Sequence, residues 1–72
     1  MIITARVIRI GDSDLYQVQL NHDGPIVMTD ETYTVCSRVA DALVNPLAEI
    51  GTELGEVADA IRGRYERGEY ND

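Results

Sequence analysis

Large apolar residues in the second half of the chain recur as Leu43, Leu47, Ile50, Leu54, Val57 and Ile61, at spacings of 4, 3, 4, 3 and 4. That period puts all of them on one helical seam and leaves Glu49, Thr52, Glu53, Glu56 and Asp59 opposite it. The first half follows a different period. Residues 15–21 alternate, with Tyr16, Val18 and Leu20 on one side and Gln17, Gln19 and Asn21 on the other, which predicts a half-buried antiparallel strand. Residues 2–10 are β-branched and read as a strand of imperfect phase. Ile3, Ala5 and Val7 share a face and Ile8 and Ile10 take the other, as a bulge near Val7–Ile8 or cover on both faces would produce.

Punctuation between these runs sets the remaining elements. Gly11-Asp12-Ser13-Asp14 has the composition of a turn. Asp23-Gly24 signals a hairpin, with glycine supplying the positive φ of a primed turn. Pro25 opens a short third strand to Thr29, at a position where no ladder donor is missed. A helix capped by Thr29 or Asp30 follows, with Tyr33, Cys36, Val39, Ala40 and Leu43 as its apolar positions. Asn45-Pro46 breaks it, because proline disfavours a helical residue before it yet fits the first position of a new helix. The second helix is expected from Pro46 to Arg67, acidic at its start and carrying Arg62, Arg64 and Arg67 at its end, the order that the helix dipole prefers. The expected fold is a single α+β domain over residues 1–72. A three-stranded antiparallel β-meander at 2–29 precedes two helices at 30–67, and 68–72 form a frayed tail.

Gly51 and Gly55 lie beside the seam, flanked by Ala48 and Ala58. Each helical glycine costs about 0.5–1 kcal/mol relative to alanine, so close approach of another backbone is the expected compensation. The approaching backbone could be the sheet, the first helix, or a second copy. A 72-residue domain buries only roughly 60% of its unfolded surface, and this one has no Phe or Trp. That thin aliphatic core favours a homodimer whose seam comprises Leu47, Ile50, Gly51, Leu54, Gly55, Val57 and Ile61.

Charge narrows the partners. Thirteen carboxylates face six cations, all arginine, for a net charge of −7. Such a body repels phosphate, so direct nucleic-acid binding is not expected; basic protein surfaces are attracted instead, including the channels of nucleic-acid-handling complexes. The single cysteine suits a reducing compartment, and neither a membrane span nor a signal peptide is legible, so a cytoplasmic location is expected. Candidate chemical groups are few. His22 reads as a surface turn residue and Cys36 as a buried structural thiol. Asp12 with Asp14, and Asp30 with Glu31, lack the converging ligands that a metal needs. No metal, no cofactor and no enzymatic activity are expected. The partner-binding surface is expected to comprise Glu49, Glu53, Glu56 and Asp59, with the turn carboxylates Asp12, Asp14 and Asp23 contributing.

From Leu15 to Val44 the chain reads Leu-Tyr-Gln-Val-Gln-Leu, then Asp-Gly-Pro-Ile-Val, then Asp-Glu-Thr-Tyr leading into Ala40–Val44. This pattern resembles small β-β-β-α domains, such as the partial RNase-H-like antitoxins and small phage inhibitors. Size, acidity and a bare meander also resemble phage anti-CRISPR proteins. That resemblance implies a phage-encoded inhibitor, acting in the host cytoplasm on a basic nucleic-acid surface of a CRISPR effector. The alternative is an antitoxin-like or homodimeric adaptor without nucleic-acid mimicry.

Overall fold

The computed structural model describes residues 3–21 and 23–70. The alternating segments form β1 (Ala5–Arg9), β2 (Tyr16–Leu20) and β3 (Ile26–Asp30), and the helical period forms α1 (Tyr33–Val44) and α2 (Thr52–Glu66). The strands make an antiparallel meander in the order β1-β2-β3. The α+β architecture is therefore the one that the two periods predict.

Alternation decides which face is covered. Val7, Val18 and Met28 stand side by side across the sheet, and Ala5 stands beside Leu20. α1 packs on this face through Cys36, Val39, Ala40 and Leu43, forming the core with Val18, Leu20 and Ile3. Ile8 opposes Gln17 on the other face. The imperfect phase of β1 has no bulge behind it: its pairing with β2 runs unbroken from Ala5↔Leu20 to Arg9↔Tyr16. The irregularity lies instead between β2 and β3, where the register slips between Val18 and Gln19.

The second turn also differs in mechanism. Asn21, not Gly24, takes the positive φ, at 58°. Gly24 is required for space, because a Cβ there would run into the Leu20 carbonyl. β3 then hands over to α1 through an Asx turn, with Thr32 N–H donating to Asp30 Oδ2 at 2.8 Å. Tyr33 opens α1 on the surface, not in the core, and its ring lies against Tyr16 at a centroid distance of 5.4 Å.

The principal correction concerns the second helix. Pro46 opens one turn only, with Leu47 N–H donating to Asn45 Oδ1 at 3.1 Å and Ala48 N–H to Asn45 O at 3.0 Å. The chain then leaves helical geometry and re-enters it after Gly51, at φ 93° and ψ 161°, a region essentially reserved for glycine. This break re-aims the chain so that α2 packs on α1. It also dissolves the continuous seam. Leu43 is buried in α1, Leu47 is 87% exposed in the turn, and Ile50 is half-buried in the linker. Val57 is 38% exposed, and the inward line of α2 is Leu54, Ala58, Ile61 and Tyr65. No other backbone of the chain approaches either glycine, since added Cβ atoms at Gly51 and Gly55 would meet nothing within 4 Å. Gly51 serves conformation, and Gly55 has no packing requirement.

The tail is more ordered than its polarity predicts. Gly68 N–H donates to Tyr65 O and Glu69 N–H to Arg64 O, each at 3.0 Å, with Gly68 at φ 75°. This is a Schellman closure, and it turns Tyr70 onto the core. Asp72 lies outside the described residues.

Candidate functional site

Glu53, Glu56 and Asp59 recur every three residues on the side of α2 turned away from Leu54, Ala58, Ile61 and Tyr65. All three are exposed. Residues at this spacing have Cβ atoms about 5–6 Å apart, so the carboxylates form a short acidic row. The row occupies the N-terminal half of α2, where the helix dipole stabilises negative charge.

Among the described residues no arginine of α2 (Arg62, Arg64) or of its C-cap (Arg67) forms an ion pair with the row. Arg62 Nη2 donates to the carbonyls of Ala42 and Leu43, at 2.6 and 3.0 Å, closing the C-terminus of α1. Arg67 pairs with Glu69 at 2.6 Å, both side chains being solvated. Among the described residues Glu53, Glu56 and Asp59 have no ion pair or side-chain hydrogen bond.

The other expected acidic residues scatter. Glu49 is exposed but sits in the linker before Gly51, outside the helical row. Asp12 and Asp14 lie in the β1–β2 turn and Asp23 in the β2–β3 turn, all exposed. These turns are at opposite ends of β2, separated by roughly 17 Å of strand. Asn21 Nδ2 donates to Tyr65 Oη at 3.2 Å, which ties the Asp23 end of the meander to the last turns of α2. Asp23 therefore lies toward the wrong end of the helix to extend the row at Glu53. The seven carboxylates are not one surface; the compact element is the row on α2.

Cys36 is buried, with its thiol facing the Tyr16 carbonyl at 3.7 Å. Burial pushes the thiol up from its ordinary value, and the nearby Asp30 charge adds to the effect. This is the environment of an inert structural cysteine. His22 lies outside the described residues. Among those described, no cavity opens and no group of three His, Cys, Asp or Glu could hold a metal ion. No helix among them is long and apolar enough to cross a membrane.

Sequence reasoning missed two of the side chains that frame this site. Arg62 looks like a charge for its own helix terminus, yet it serves that of α1; only the helix pairing brings its guanidinium there. Tyr65 looks like a surface aromatic and instead joins α2 to Asn21. Its place three and four residues from Arg62 and Ile61 was the available signal. Comparison of the chain with family models, curated proteins and solved structures gives no match.

Proposed function

We propose that this protein is a small acidic binding protein that presents the α2 row to a basic protein surface. The observation that carries the reading is that Glu53, Glu56 and Asp59 stand together, exposed and without a cationic partner among the described residues, on a chain of net charge −7. Carboxylates spaced along a helix offer a basic groove a linear array of negative charge of the kind that groove meets in a nucleic-acid backbone. In its narrower form the proposal is an anti-CRISPR-type inhibitor that occupies the nucleic-acid surface of a CRISPR effector in a phage-infected host. Support for that narrower form is the small, acidic β-meander followed by helix.

The test uses purified RNA-guided effector complexes as the basic probe, with target-DNA binding as readout. Stoichiometric protein is expected to suppress binding. The variant with Glu53→Lys, Glu56→Lys and Asp59→Lys is expected to lose at least tenfold in potency while retaining its circular dichroism. Undiminished inhibition by the folded variant would overturn the charge reading. Self-association into a homodimer belongs to the same proposal; the residues expected to form its seam are divided between the linker (Leu47, Ile50, Gly51) and α2 (Leu54, Gly55, Val57, Ile61).

A further inference from the structure

Hydrogen bonding in the meander leaves one edge with a regular set of unused backbone groups. Asn21 N–H donates to Thr4 O at 2.7 Å, and Ile10 N–H donates to Leu15 O at 2.9 Å. With the register Ala5↔Leu20 through Arg9↔Tyr16, the bonded pairs on β1 fall at even positions. The N–H and C=O groups of Ala5, Val7 and Arg9 therefore point away from β2. β1 is an edge strand, and none of these backbone groups has a backbone partner among the described residues. The opposite edge is blunted: Pro25 precedes β3, and the register slip leaves Val27 without a Cα partner on β2. β1 has no proline, no bulge and no carboxylate.

We propose that β1 is the seat of the homodimer, pairing antiparallel with β1 of a second copy about a two-fold axis at Val7. This inference rests on the homodimer part of the proposed function and supplies its interface. A two-fold pairing centred there sets Val7 against Val7 of the second copy and Ala5 against Arg9 of the second copy. Every outward-facing residue then meets another one. Two bonds at each of three residue pairs give about six inter-chain hydrogen bonds.

Charge selects this register from its neighbours. Sliding by one bonding step one way sets Arg6 directly against its own copy, and two steps the other way do the same for Arg9. Like charges directly opposite destabilise a strand pair. The Val7-centred register sets Arg6 against Ile8 and Arg9 against Ala5. It also keeps all three outward-facing residues paired, whereas the intermediate register centred on Ile8 keeps two. Val7 lies on the α1 face and packs on the core. The pairing therefore brings the two cores into contact and makes one six-stranded sheet, burying an edge that would otherwise invite unspecific strand addition.

The experiment is sedimentation of the full chain from micromolar to millimolar concentration, combined with amide hydrogen exchange. The expected mass rises from 8.0 kDa to about twice that value. Over the same range the amides of Ala5, Val7 and Arg9 slow at least tenfold, while those of Arg6 and Ile8, already in the ladder, do not change. Val7→Pro removes an outward donor without touching the β1–β2 ladder, and it is expected to be monomeric with unchanged circular dichroism. If that variant does not fold, the exchange pattern decides. Two copies of charge −7 repel, so added salt strengthens this association, whereas it weakens binding of the α2 row to a basic partner. A mass that stays at 8.0 kDa overturns the edge pairing together with the homodimer. A dimer whose Ala5, Val7 and Arg9 amides still exchange fast overturns the edge pairing alone.

Discussion

Two glycines four residues apart illustrate how differently one residue type is used. Gly51 holds φ 93° at the entrance to α2, whereas Gly55 lies in the helix with open space around its Cα. Gly51→Ala is expected to cost about 1–3 kcal/mol from backbone strain. Gly55→Ala is expected to stabilise by about 0.5–1 kcal/mol, and urea titration of both variants gives the two signs directly. Cys36 provides a pH test. Its thiol is pushed above the ordinary 9.0, so the folded state holds this proton more tightly than the unfolded state does. Its contribution is fully present below the unfolded value and is lost as pH rises through the folded one. Stability of the wild type is expected to fall more steeply above pH 9 than that of Cys36→Ala, as followed by thermal melts at stepped pH.

Helix ends control the arrangement of elements. Arg62 closes α1 from α2 by donating to two carbonyls that have no partner within their own helix. Arg62→Met keeps most of the apolar stem and removes the donors. A loss of about 1.5–3 kcal/mol is expected for a charged hydrogen-bonding group, and Arg62→Lys should restore only part of it because an ammonium lacks the planar fork. Urea midpoints of the three proteins check the order. The Schellman glycine at the other end of α2 makes a comparable prediction: Gly68→Ala places a Cβ at φ 75° and is expected to cost about 1–2 kcal/mol. Loss of near-ultraviolet signal from Tyr70 before the global transition would show that this closure holds the tail on the core.

The whole molecule is thin, with Cα extents of 33 × 31 × 16 Å, because α1 is the helix that packs on the sheet and α2 packs on α1. A two-layer body of this size leaves a sheet edge and a helix face accessible together, and these surfaces have opposite electrostatic character. β1 carries Arg6 and Arg9 and no carboxylate, while α2 carries the acidic row. Reversing Glu53, Glu56 and Asp59 to lysine is expected to leave the core intact, since exposed charges contribute little to stability. The same change should lower the on-rate for a basic partner far more than it raises the off-rate, a split that surface plasmon resonance at two salt concentrations resolves.

The sequence by itself determined the α+β order, the inward residues of β2, the core side of α1 and the interruption at Asn45-Pro46. Each of these follows from local period or from the backbone restrictions of proline. The register slip after Val18 and the use of Gly24 for space depend on how strands meet. Tertiary structure also split the long apolar seam, because a period of 3.6 continues through Leu47 and Ile50 whether or not the backbone does. Only the packing of α2 on α1 selects Leu54, Ala58, Ile61 and Tyr65 over Val57. The acidic row was legible as a pattern from Glu53 to Asp59, but its separation from Asp12, Asp14 and Asp23 was not. Distance between turns is set by the fold, since chain neighbours in a meander lie at opposite ends of a strand.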